Sequence, residues 1–180
     1  DLSGAAFALQ HGVDALLLPA EEKLWGAAEE ISGERASVQL EERKAVPSLV
    51  MANVTNVESG GVGERICVDL TERLSDGEGM LIGSSANALV LIHGETIPSE
   101  FVPSRPFRVN AGAVHAYCLM ADGSTKYLSE LTAGDQVAIA NHSNEIRSAT
   151  IGRLKIERRP FLLVHFEWNN QSAQVLVQQA

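Results

Sequence analysis

Residues 105–117, "RPFRVNAGAVHAY", place two arginines, an asparagine, a histidine and a tyrosine in one stretch with almost no bulky filler. Arg105 precedes Pro106, which pushes its backbone towards an extended form. In a strand, Arg108 and Asn110 face one side and Phe107 and Val109 the other. Gly112 permits a bulge that re-aims the residues after it, and His115 and Tyr117 then share a face. Guanidinium groups suit a carboxylate or phosphate, while imidazole and phenol suit proton transfer. The set therefore fits an oxygen-rich anionic substrate; the competing reading is a solvated strand face with a satisfied histidine.

Other stretches carry chemistry of their own. In "LIHGET", His93 and Glu95 fall on one strand face, where they could bind a divalent metal or act as an acid/base pair; two exposed polar residues at a strand end is the alternative. In "GRLKIERRP", Lys155, Glu157 and Arg159 alternate on one face with Arg153, the pattern of a charged edge strand. In "GEGMLIGSSANALVL", Gly83, Ser84 and Ser85 could turn backbone N–H groups towards an anion, but no helix follows as a dinucleotide or Walker loop requires. "SGGVGERICVD" is also glycine-rich, with Glu64, Arg65 and Asp69 close by, and it precedes a strand, so it does not read as a Rossmann turn. Cys67 and Cys118 lie in apolar runs and read as buried reduced thiols; no spacing fits zinc.

The elements that position these residues fall into two regions. "DLSGAAFALQHG" reads as a helix stopped at Gly12, "VDALLLPA" as a buried strand, and "EEKLWGAAEEIS" as an amphipathic helix with acidic residues in its first turn. This helix–strand–helix piece, residues 1–45, is the expected end of an α/β domain whose first part is missing. After Pro47 the pattern becomes all-β. The runs are "SLVMANVTNVES", "ERICVDLT", "GMLIGSS", "ALVLIHGET", "RVNAGAVHAYCLM", "AGDQVAIAN", "IRSATIGRLKIERRP", "FLLVHFEWNN" and "AQVLVQQA", punctuated by glycines that include Gly60-Gly61. Asp122-Gly123 and Asn169-Asn170 read as hairpin turns, and "KYLSEL" as a short helix-like turn before a Gly134 corner. The fold class is α+β: a short α/β segment, then a mainly antiparallel, barrel-like body over 46–180, with a division into 46–120 and 121–180 as one option.

Composition bounds the partners. The chain has 180 residues, 45% hydrophobic and 5% aromatic, so its core is built from Val, Leu, Ile and Ala. A net charge of −9 argues against nucleic acid as a general partner, while a local basic patch could still hold a small anion. No apolar run reaches membrane-spanning length and no signal peptide is visible. The chain opens inside a helical pattern and stops inside a strand, as a piece of a longer protein would.

Five blocks, "VGERICVDL", "GEGMLIGSSANALVLIHGET", "SRPFRVNAGAVHAY", "TKYLSELTAGDQVAI" and "GRLKIERRPFLLV", follow in the order seen in the archaeal-type (type II) 3-dehydroquinate synthases. The chain resembles that family from Asn53 to its end, and "QHGVDALLL" is similar to the segment before it. The resemblance implies NAD-dependent oxidative deamination of an amino-dideoxy-heptulosonate and cyclisation to 3-dehydroquinate, in aromatic amino-acid biosynthesis. The related aminohydroxybenzoate synthases close a ring with a divalent metal (Mn or Mg) and no redox step. A non-catalytic β-rich fragment that binds a ligand or partner is a further alternative. Under the resemblance, Arg105 or Arg108 takes the substrate carboxylate. His115, His93 and Tyr117 are the acid/base candidates, with Glu95 orienting His93 or joining it on a metal. Asn110, Lys155, Arg159, Ser84 and Ser85 complete the substrate-binding set. The expected setting is a cytoplasmic enzyme, or a plastid one in a plant or alga, with a small-molecule substrate and the option of a homo-oligomer.

Overall fold

The structure, a computed structural model, describes residues 18–21, 23–26, 28, 48–98 and 103–179. The chain divides into two compact units, Asp1–Val46 and Pro47–Ala180. In the first, residues 23–26 and 28 are helical, within the helix expected there. The Trp25 indole N–H donates to the Pro19 carbonyl (3.0 Å) across the start of this helix. Residues 18–20, the described end of the expected strand, form no strand. The rest of that strand and the helix expected before it lie outside the described residues.

The second unit is antiparallel β-sheet. Its strands are β1 (Asn53–Leu70), β2 (Gly79–Ser85), β3 (Ala88–Glu95), β4 (Arg105–Ala113), β5 (Tyr117–Leu119), β6 (Thr125–Tyr127), β7 (Gln136–Ala140), β8 (Ile146–Trp168) and β9 (Gln171–Gln178). A 3-10 turn, Leu128–Glu130, supplies the expected helix-like turn. Pairing runs β3–β4–β1–β8–β7–β2, and β2 pairs back with β3, so six strands form a closed circuit. β9 adds to β8, and β5 and β6 extend the sheet from β2. Residues after 120 thus belong to the same nine-stranded sheet as those before it.

Two expected breaks are continuous strand. Gly60-Gly61 does not end a strand: Gly61 takes φ +75° at a register shift, so β1 passes through a bulge that its left-handed residue permits. β8 likewise runs through Pro160, which sits opposite Val62 and whose carbonyl accepts the Gln179 N–H (2.9 Å). The expected hairpins are present. Asn169 and Asn170 both have positive φ, 44° and 62°, the requirement of a two-residue turn matched to strand twist. "RVNAGAVHAYCLM" is not one strand; it breaks between β4 and β5, leaving His115 in the turn.

The apolar core gathers Ile66, Val68, Met80, Ile82, Val109 and Ile139, none more than 1% exposed. The last six residues of β1 are all buried. Strand alternation sends Ile66, Val68 and Leu70 into this core and Arg65, Cys67 and Asp69 to the opposite face. A strand buried on both sides, apolar on one and charged on the other, is what positions the site.

Candidate functional site: a cationic sheet face

The register puts the β1 row Arg65, Cys67, Asp69 beside Glu157, Lys155 and Arg153 of β8. On its other side, Cys67 and Asp69 face Asn110 and Arg108 of β4. Glu95 of β3 then pairs with Arg105. One face of four adjacent strands therefore carries six cations and three carboxylates, on a chain whose net charge is −9.

Each carboxylate is a hub. Asp69 accepts from Arg108 Nε and Nη2 (2.6 and 2.9 Å) and from Arg153 Nε and Nη2 (2.9 and 2.5 Å). Arg108 beside it holds the Asp69 carboxyl below the usual carboxylate range, and Asp69 in turn raises Arg108. Glu157 collects Arg65 Nη2 (2.7 Å), Lys155 Nζ (3.0 Å) and Arg159 Nη2 (3.2 Å), and is lowered, chiefly by Lys155. Glu95 accepts from Asn110 Nδ2 (2.6 Å) and Arg105 Nη1 (3.5 Å).

Cys67 lies between the hubs. Its thiol donates to Asn110 Oδ1 (2.8 Å), and Arg65 Nη1 donates to both groups. Burial pushes the thiol up, against the pull of Arg65 and Arg108. The Arg65 Nε–H is buried without a partner. The buried row fixes geometry while the outer cations stay accessible: the side chains of Arg153, Lys155, Arg159 and Arg105 are 67%, 51%, 46% and 39% exposed, against 12% for Arg108.

Of the candidates named from sequence, Arg105, Arg108, Asn110, Glu95, Lys155 and Arg159 thus share one face, Arg108 in the Asp69 group and the others in the group joined through Arg65, Cys67 and Asn110. Arg108 is spent on Asp69 with both bonds of its fork, so the accessible cations are on β8 and at Arg105. Asp69, Arg65, Cys67 and Glu157 belong to these groups and were not assigned a site role; the signal was the i, i+2, i+4 alternation of Arg65, Cys67 and Asp69, hidden in what read as an apolar run.

The remaining candidates lie apart. His93 Nε2 accepts the Gly77 N–H (2.8 Å), so this nitrogen has no lone pair to give, and Glu95 turns to Asn110 and Arg105 instead. Among the described residues no three His, Cys, Asp or Glu side chains group as a metal site. His115 is exposed in the turn between β4 and β5. The Tyr117 hydroxyl pairs with that of Tyr127 (2.8 Å), which raises the Tyr117 pKa. Ser84 and Ser85 end β2 at a hairpin, away from the charged row.

The unit is β-rich and sets an array of cations around a buried carboxylate–thiol row, a chemistry suited to oxyanions. Residues 51–180 match the family model of the 3-dehydroquinate synthase II C-terminal domain, and the chain belongs to that family. It is 43% identical over 177 residues to the 3-dehydroquinate synthase of Methanosphaera stadtmanae, covering 96% of this chain and 46% of that protein. It is 44% identical over 183 residues to that of Methanobrevibacter smithii (100% and 48%) and 44% identical over 172 residues to that of Methanococcoides burtonii (96% and 44%). The chain spans about half the length of these curated relatives. No solved structure matches it significantly. No helix among the described residues is long and apolar enough to cross a membrane.

Proposed function

We propose that this chain supplies the substrate-anion half of a type II 3-dehydroquinate synthase, which oxidatively deaminates an amino-dideoxy-heptulosonate and closes the carbon ring. The observation that carries the reading is the surplus of cations on the β1–β4–β8 face, joined to family membership. The closed circuit of strands acts as a small barrel that presents this face.

In this reading Lys155 and Arg159, with Arg153 and Arg105 flanking them, take the substrate carboxylate. Arg108 and Asp69 position Arg153, and Glu157 holds Lys155 and Arg159 until the substrate arrives. His115, exposed beside β4, exchanges the proton of ring closure. NAD would accept the hydride of the oxidation. Among the described residues no helix N-terminus or strand-to-helix glycine turn fits its pyrophosphate, so no residue of this chain is assigned to holding it. The His93–Glu95 pair does not fit a divalent metal either, because its donors are already engaged.

The test is a chimera in which residues 51–180 replace the matching segment of the Methanobrevibacter smithii relative. NADH formation and 3-dehydroquinate release are expected. Lys155→Ala and Arg159→Ala should raise KM by about tenfold or more while kcat changes less, the loss of one charge-assisted contact. An active chimera in which neither variant moves KM would show that the substrate binds elsewhere.

A further inference from the structure

The ends of two hairpins border an open cleft of about 720 Å³ whose lining shares no residue with the charged network. One wall is the β2–β3 hairpin, with Ser84, Ser85 and Asn87; the other is the β8–β9 hairpin, with Trp168, Gln171 and Gln174. One residue in five of the chain is charged (21%), yet no Asp, Glu, Lys or Arg is among the described residues lining this cleft. An ion there would meet none of these charged side chains as a lining partner.

What the cleft offers is neutral and two-handed. Serine hydroxyls and carboxamides each donate and accept, which matches a ligand whose own hydroxyls do both. Ser85 Oγ accepts the Asn87 N–H (3.2 Å), which ties down that wall and leaves the hydroxyl able to donate. His165, also at the lining, is tied through Nε2 to Glu58 Oε1 (2.9 Å). Phe166 and Trp168 stack with centroids 5.8 Å apart and planes at 29°. Phe166 is buried, so it braces the half-buried Trp168, whose remaining surface is the apolar side against which the C–H face of a sugar ring packs while its hydroxyls meet the amides.

We propose that this cleft binds an uncharged polyhydroxylated ring, either a free sugar or the ribose of a nucleoside. Of the residues expected from sequence to bind substrate it takes Ser84 and Ser85, and it uses none of the cations to which the proposed function gives the carboxylate, so its failure and the failure of that reading are separable.

The test uses the Trp25→Phe chain, in which Trp168 is the remaining tryptophan. Methyl β-D-ribofuranoside, D-glucose and adenosine are titrated separately, followed by Trp168 emission and by amide NMR shifts, with sodium phosphate as the charged control. A saturable response is expected from at least one neutral ligand, with a Kd on the order of 1 mM. Its shifts should centre on Ser84, Asn87 and Gln174, while phosphate shifts fall on Lys155 and Arg159. The exposed substitutions Asn87→Ala and Gln174→Ala should each weaken the response about fivefold. A response to the sugars identifies a free sugar as the ligand class, and one to adenosine alone identifies a nucleoside. No saturable response to any neutral ligand overturns the proposal. So does a response that both variants, shown folded by their spectra, leave unchanged.

Discussion

The charged face and the neutral cleft are both polar surfaces on one sheet, and they are built in opposite ways. On the face, the cations are already paired with carboxylates: Asp69 and Glu157 between them hold five. Its geometry is set before any ligand arrives, and it is part of what holds the sheet together. In the cleft most polar side chains are exposed, and few of them bond to one another. A pre-paired array favours orientation and charge selection; an unpaired set of dipoles favours adaptability at little cost in stability.

The sharpest way to break this comparison is to remove a hub. Asp69 is 7% exposed in its side chain, and Asp69→Ala leaves Arg108 buried without its counter-charge. A destabilisation of about 3–5 kcal/mol is expected in urea unfolding, where Gln174→Ala in the cleft should stay within about 0.5 kcal/mol. Near-equal losses would mean that the face is a loose surface cluster after all.

Acid should find the same difference. Asp69 is lowered by Arg108, Glu78 by Arg147, and Asp135 by the Thr132 N–H and by Lys126. A folded pKa below the unfolded value near ~4 contributes stability that is complete above that pH and is lost as pH falls through the folded value. Urea midpoints should therefore drop below about pH 4, and Asp69→Asn should flatten part of that slope. A variant with the parental slope would place the acid sensitivity at the other carboxylates.

A smaller effect separates holding from binding. Glu157 neutralises Lys155 and Arg159 from a position that a substrate carboxylate would share. Glu157→Gln keeps the shape and removes the competing charge, so inorganic phosphate should bind severalfold more tightly by calorimetry. Weaker binding would show that Glu157 orients the cations and does not compete with the ligand.

Much of this was legible in the residues. The hairpin turns at Asp122-Gly123 and Asn169-Asn170, and the bounds of β2 and β3, follow from turn chemistry and alternation that act locally. The continuity of β1 through Gly61 and of β8 through Pro160 was not, because cross-strand pairing along a long ribbon overrides a local breaker. Arg105, Arg108 and Asn110 could be singled out by type alone. That Arg108 is committed to Asp69, and Asn110 to Cys67 and Glu95, depends on register between strands some forty residues apart in sequence, which no single stretch contains.

The smallest expected effect tests the comparison inside the protein, with one substitution at two thiols. Cys67 and Cys118 are both buried, at 2% and 0% exposure. Cys118 lies in the apolar core, where burial pushes its pKa up to about 12 and its longest reach is the Leu119 carbonyl at 3.5 Å. Cys67 sits among an amide oxygen and a guanidinium that already use its hydrogen-bonding capacity. A hydroxyl at position 118 trades dispersion contacts for an unsolvated dipole, so Cys118→Ser should cost about 1–3 kcal/mol. The same hydroxyl at 67 can donate to Asn110 and accept from Arg65, so Cys67→Ser should change stability by no more than about 0.5 kcal/mol. Urea unfolding of the two variants reads the contrast directly. If position 67 proves the more sensitive of the two, the polar row depends on the size of sulfur, and packing outweighs hydrogen bonding even on the charged face.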